Sequence, residues 1–583
     1  MVKGVNKDLS KMKHDATGLK RAILAQTRTP EFDQFLRELL LDLCRVDTTP
    51  NPDTGVMRAA EAACFARIER ELAQLAFPGA RTERRPVNPG IKKHPFYSLL
   101  HFTKTAKRPA GLPPEQAYKG RSNLICHVPG ANRGPGKSVA VNGHIDVVAP
   151  YFAPTARDGV VFGRGTCDDK GPVVSIVGAL KVLSKACADL GLVLNRNVLG
   201  MFVIEEETGG NGSLSLAMDR ELKKLYDSVL VYECANMKVH PANRGAVWYK
   251  AELRNPGKGS LLEMAAFIIE EFEKEGAAIR AESRHRLFPQ RPVQTCHGII
   301  GPFGEHPSRI CGKVSFTIGF KRPLKPEAET LVRDCIDFGL AAYVGLYGDK
   351  TKVTDPSTGK PMVAEHFSIK TRGSQMTVEV HGATGHMGAI RERDGAITKM
   401  AHMVRSLVYS RAKIEAKAGA MSLRLTGLKD AGTLVMEGGQ GFVPTHYIDE
   451  VMARLGRAAE LGAENYLRRA GIPIPKKSLV KVTYEKLHNV AFDGDPESSS
   501  MRNAIAAARD CGTWTEEPVL GWTVSCDSRL FATEYPGMEV LTSGPGELVY
   551  AHSDHEQVRL EDLRKGAEFL ALFIARQAGT SPA

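Results

Sequence analysis

Four short apolar runs in this chain each end in residues that bind metals. SVAVNGHID closes on His144 and Asp146, VLGMFVIEEETGG on Glu205, Glu206 and Glu207, and SVLVYE on Glu233, while MEVLTSGPGELVYAHSDHE leads through a glycine-rich loop to His552. A fifth piece, GRGTCDDKG, sets Asp168 and Asp169 on a glycine-flanked loop ahead of a helix. From Ser122 onward, β-rich runs alternate with helical stretches, which predicts an α/β fold with a mixed, mostly parallel sheet covered by helices. In such a sheet ligands bind outside the carboxyl ends of the strands. The five pieces are therefore expected to meet in one crevice.

Alone, each piece reads more readily as a solvated loop or an internal ion pair than as a metal ligand. Together they demand more, because several carboxylates in one crevice are electrostatically costly unless cations neutralise them. Two imidazoles with three carboxylates suit a pair of borderline-soft divalent ions, zinc first and cobalt or manganese as substitutes, and argue against a magnesium-only site.

The 583 residues are 43% hydrophobic and 25% charged, which excludes disordered and collagen-like classes and allows two or more cores. The net charge of +12 is scattered and compatible with an anionic substrate. There is no zinc-finger spacing, RNA-binding signature or phosphate loop, so no nucleic-acid partner is expected. The eleven cysteines form no CxxC pair and read as reduced thiols. Cys167 and Cys234, each beside a singled-out carboxylate, read as small buried hydrophobes. No uninterrupted apolar run approaches the ~20 residues of a membrane span and the N-terminus lacks an apolar signal core, so a cytoplasmic protein without membrane contact is expected.

Residues 1–28 read as a polar leader and a disordered tail. Thr29-Pro30 starts a helix in which Phe32, Phe35, Leu36, Leu39, Leu40 and Leu43 recur at helical spacing. Residues 29–245 and 487–583 are expected to form one catalytic domain from both ends of the chain. Between them, 246–486 reads as an inserted α+β domain holding two rough strand-helix-strand units without a letter-by-letter repeat.

In order and context these pieces resemble the di-zinc metallopeptidase and amidohydrolase family of acetylornithine deacetylase, succinyl-diaminopimelate desuccinylase, aminoacylase and carboxypeptidase G. GHIDVV, GRGTCDDKG, EEETGGNGS, VYE, GATGHMG, SCDSRLF and GPGELVYAHSDHE follow in the family's order, over about Thr29 to Ala578. The resemblance implies that His144 and Glu233 hold one zinc, Glu207 and His552 the other, and that Asp168 bridges them. It implies that Asp146 orients His144 from behind, Glu206 is the general base, and His386 of an inserted lid reaches the oxyanion. Two metals would lower the pKa of a shared water toward ~7 and polarise the scissile carbonyl, with a free carboxylate moving the proton to the leaving amine.

The resemblance also places Arg529, Gly544 and Arg309 at the substrate. Arg529 either grips a substrate carboxylate with its planar fork or pairs internally with Asp527 or another structural carboxylate. Arg309 departs from the family's usual Asn-x-Val/Ile-Pro stretch. The inserted region is about twice the length of the usual lid, and His386 lies in its second half. Members with doubled lids can supply this histidine within one chain, so a monomer, or a homodimer formed differently, is expected.

The resemblance implies, from glutamate rather than aspartate at position 233, an N-acyl amino acid or a peptide C-terminus as substrate, a small amide or peptide bearing a carboxylate. A dipeptidase, a hydrolase of a non-peptide amide and a metal-binding protein without catalysis are the alternatives.

Overall fold

The computed structural model describes residues 17–583 except 256, 356–357, 390–393, 429–431 and 485–487. Its central sheet has six strands in the order Arg81–Pro86, Ser122–Val128, Val198–Val203, Val139–His144, Ser228–Tyr232 and Glu539–Ser543. The last four lie parallel, and the two at the far edge pair antiparallel. These four strands are buried almost throughout, as a sheet covered on both faces requires. Because they run the same way, His144, the Glu205–Glu207 turn, Glu233 and the loop to His552 all leave from one edge.

Helix Lys170–Asp189, which follows Asp168 and Asp169, packs against helix Leu560–Ala578 under the sheet. By length and composition it could cross a membrane, yet 83% of its apolar window is buried inside the protein. Helix Pro30–Cys44 packs on it, starting as the sequence predicts: the Thr29 side chain accepts from Phe32 N, Pro30 opens the first turn, and Phe32, Leu36, Leu39, Leu40 and Leu43 are buried. Helix is present before Thr29. Residues 17–27 are helical, Leu19 and Ile23 are core residues, and Thr27 donates to the buried Glu568 carboxylate. Two apolar side chains at i, i+4 suffice to anchor this short helix, a signal hidden among the polar residues around it. Residues 1–16 of the expected leader lie outside the described residues.

The segment from Gly245 to Asn489 forms two antiparallel sheets, one of four strands and one of five, the fifth strand being His488–Asn489, which pairs with Gly245–Arg254. Strands Gly245–Arg254, Thr295–Ile300, Thr433–Phe442 and Val480–Thr483 are ordered second, third, first, fourth across one sheet. Strands Lys313–Phe320, Phe367–Arg372, Gln375–His381 and Met421–Leu425 take the same order in the other. Helices Leu261–Glu282 and Ile448–Arg469 serve the first sheet, and Pro326–Tyr347 and Ala396–Tyr409 the second. Each unit is thus a split β-α-β-β-α-β pattern. The second is inserted whole between strands two and three of the first, and Leu261–Glu282 packs on Ala396–Tyr409. The expected limit at residue 486 lies outside the described residues.

Candidate metal centre

Three strand ends and two loops bring the acids and imidazoles together. Asp168 presents Oδ1 to His144 Nε2 at 3.2 Å and Oδ2 to His552 Nε2 at 3.2 Å, one oxygen to each imidazole. Glu207 Oε1 lies 2.8 Å from His552 Nε2, and Glu233 Oε1 3.9 Å from His144 Nε2. All five side chains are buried. Potential ligand atoms lie within 4.8 Å of one another in three groups: Asp168, Glu207 and His552; His144, Asp169 and Glu233; and Asp168, Glu233 and Cys234.

The charge balance fits cations. Burial pushes Glu233, Glu206 and Asp169 well above the usual carboxylate range, and neighbouring carboxylates push them further. Burial alone would lower His144 and His552. Hydrogen bonds to Asp146 and Asp168 instead raise His144, and Glu207 and Asp168 raise His552 to about 9. Acids that hold protons and imidazoles that seek them mark a pocket with more negative charge than its protein cations balance, the environment a pair of divalent ions neutralises. The imidazole-and-carboxylate donor set fits such a pair.

The three consecutive glutamates have three different surroundings. Glu205, in a left-handed backbone conformation, accepts from Tyr118 Oη at 2.7 Å and pairs with Arg121. Glu207 faces His552. Glu206 is half-buried, and among the described residues no protein group donates to its carboxylate. Arg121 is wholly buried and also binds Glu61, whose carboxyl burial pushes up to about 7 against the pull of that guanidinium. Replacing Arg121 with Met strands two buried carboxylates, with an expected loss of about 3–5 kcal/mol in urea unfolding. A loss below about 1 kcal/mol would contradict the pairing.

Asp146 does more than the resemblance implies. Its carbonyl is the nearest partner of His144 Nδ1, at 3.0 Å, with its Oδ1 at 3.4 Å. The carboxylate accepts the backbone N–H of Glu206 at 3.1 Å and of Glu207 at 3.0 Å. One residue therefore sets both the His144 ring and the glutamate turn. Asp169 Oδ2 accepts His144 N at 2.9 Å.

Sequence reading assigns no role to Glu556, the last residue of GPGELVYAHSDHE. Its Oε1 accepts the backbone N–H of Gly165, Cys167 and Asp168 at 3.0, 3.1 and 3.0 Å, and Oε2 pairs with buried Arg164. This carboxylate shapes the loop that presents Asp168. Glu556→Ala leaves those donors unpaired, and zinc competition titration should give a 10- to 100-fold weaker affinity. An unchanged affinity would contradict that role.

His386 comes from the inserted unit of the same chain, between Gln375–His381 and Ala396–Tyr409. Its ring centroid lies 4.7 Å from that of His552, and its neighbour Met387 is buried among Ala246, Trp248, Cys296 and Ile310. Nδ1 accepts Gly388 N at 2.9 Å. Burial and the nearby His552 hold the ring well below its usual pKa. A neutral ring with Nδ1 accepting carries its proton on Nε2, which makes it a hydrogen-bond donor.

The residues expected at the substrate are placed differently from one another. Arg309 has all three guanidinium nitrogens engaged: Nε donates to His552 O at 2.9 Å, and the others meet Glu305 and Asp554. Gly544 has φ +145, and a Cβ there would stand 2.3 Å from Glu233 O, so glycine lets the loop pass against the Glu233 backbone. Arg529 is 2% exposed; Nη2 donates to Gly209 O at 3.0 Å, while among the described residues Nε and Nη1 have no hydrogen-bond partner. Burial lowers its guanidinium and the Asp527 carboxylate opposes that. All eleven cysteines are buried free thiols.

The family model "Peptidase family M20/M25/M40" matches residues 140–576. Human carnosine dipeptidase 1 superposes with a TM-score of 0.53 at 14% identity, covering 97% of this chain and 99% of that one. Dug1p, a di-peptidase from Saccharomyces cerevisiae, gives 0.54 at 15% identity over 97% and 99%. These likenesses are of fold. A probable carboxypeptidase from Emericella nidulans is 31% identical over 123 residues, 20% of this chain and 27% of that protein. The chain's match thus spans about a quarter of the length of its curated relatives.

Proposed function

The chain belongs to peptidase family M20/M25/M40, and on that premise we propose that it is a metal-dependent hydrolase of amide bonds with Glu206 as general base. The observation that carries this is the open Glu206 carboxylate between two neighbours that are both tied down. His144, Glu233 and Asp168 would hold one divalent ion and Asp168, Glu207 and His552 the other, with zinc best suited to these donors. Such a pair, when bound, acidifies a water and polarises the scissile carbonyl.

The chain's own groups do the rest. Glu206 takes the water's proton and passes it to the departing amine. His386 donates from Nε2 to the carbonyl oxygen as negative charge grows there. Asp146 fixes the turn from which Glu206 projects. Because His386 and His552 belong to one chain, a monomer is the expected active species.

For the substrate we favour an N-acyl amino acid or a peptide C-terminus, on the glutamate at 233 and the name of the Emericella nidulans relative. The two nitrogens of Arg529 that have no hydrogen-bond partner among the described residues offer a place for a substrate carboxylate. The test is amine release from N-acyl amino acids, C-blocked peptides and free dipeptides, with zinc and with chelator. Turnover of N-blocked substrates with a free carboxylate, stopped by chelator, is expected. Faster hydrolysis of free dipeptides would make the protein a dipeptidase. No amine from any substrate, with two zinc ions bound, would overturn the peptide reading in favour of a non-peptide amide or a binding role.

A further inference from the structure

We propose that the inserted lid unit is part of what keeps the second cation position intact: Arg309, with Ser308 beside it, holds His552 in its ligating conformation, so lid docking and cation binding strengthen each other. This rests on the reading of Asp168, Glu207 and His552 as ligands of one ion.

His552 has φ +57, a left-handed conformation that non-glycine residues seldom adopt without support. The support comes from the lid. Arg309 Nε donates to His552 O at 2.9 Å while its Nη2 holds the Asp554 carboxylate, so one guanidinium ties the chain at 552 and again two residues on. Ser308 Oγ lies 3.5 Å from His552 Nδ1, the ring nitrogen turned away from Glu207, and His306 Nδ1 is 2.7 Å from that hydroxyl.

A second lid segment adds to the hold. His386 N donates to Ala551 O at 3.1 Å, and Thr384 Oγ1 to Asp554 Oδ2 at 3.1 Å. The two segments are joined by Ile310 N to Gly385 O at 2.9 Å and Met387 N to Ser308 O at 2.8 Å. The loop bearing His552 therefore sits in a cradle made by the inserted unit. The hydrogen bonds of Ala551 N and Ser553 N close only turns within the loop, on Leu548 O and Tyr550 O.

The two cation positions differ in this respect. His144 and Glu233 leave directly from strands of the central sheet and need nothing from the lid. Lifting the lid releases the His552 backbone, and the position that His552 serves weakens while the other stays. By reciprocity, a cation at that position favours the docked lid to the same degree. Arg309 is then a positioning residue that couples lid closure to the ion it never touches.

The experiment uses the full chain and zinc itself. Zinc content is followed after equilibration with graded chelator for wild type, Arg309→Ala, Arg309→Lys, Asp554→Asn and His552→Ala. Hydrogen exchange over residues 305–311 is measured with and without zinc. We expect His552→Ala to lose one zinc outright and Arg309→Ala to bind the first as wild type does and the second at least ~10-fold more weakly. Arg309→Lys and Asp554→Asn should fall between, and zinc should slow exchange over 305–311 in wild type.

If His552→Ala loses one zinc while the Arg309 and Asp554 variants titrate like wild type, the coupling is wrong and the ligand reading stands. If His552→Ala still binds two, the ligand reading itself fails. Should Arg309→Ala not fold, Asp554→Asn and the exchange measurement decide, since zinc-independent exchange over 305–311 contradicts the reciprocal half of the proposal.

Discussion

Glu206→Gln is expected to lower kcat about 10³-fold, with zinc content and KM close to wild type. The amide keeps the size and the half-buried position of the side chain but cannot accept the water's proton. Glutamine also leaves the neighbours undisturbed, because Asp146 holds the turn through backbone N–H groups and Glu207 meets His552 with its own carboxylate. The variant therefore separates proton transfer from metal binding. A loss of zinc alongside activity would mean that Glu206 is a ligand, and a loss of less than about 10-fold would remove it from proton transfer altogether.

His386→Ala is expected to cost about 10²–10³ in kcat, the usual effect of removing one oxyanion donor. Substrate affinity should change little, because the donor matters most once charge has moved onto the carbonyl oxygen. Since the histidine stands in its own chain's site, mixing His386→Ala with Glu206→Gln protein should restore no activity. Recovery on mixing would show that the lid serves a partner chain.

The central sheet is legible because apolar runs of strand length end in polar residues, and parallel strands must put those ends on one edge. The approach of Asp168 to both imidazoles follows from that edge. Other features are not legible because their partners are distant in sequence. Glu61 and Arg121 lie 60 residues apart, and Glu556, although it closes the run that carries His552, lies 388 residues from Asp168, so spacing reveals neither pairing.

Asp146 is expected to orient His144, and it is its carbonyl that comes closest to the ring while the carboxylate goes to the glutamate turn; spacing cannot tell two acceptors of one residue apart. Arg309 looks available in sequence, but Asp554 and the His552 carbonyl occupy its fork. The two lid units share a strand order without shared letters because an antiparallel unit constrains which positions are buried, not which side chains fill them. The helix before Thr29 is missed because Leu19 and Ile23 are too few to make a period.

The most direct test is to titrate metal-free protein with zinc, following bound zinc per chain and amine release in the same samples. Activity that rises as the second zinc binds and is complete at two per chain is the expected result. Full activity with one zinc, or activity untouched by a chelator that strips both, would contradict it.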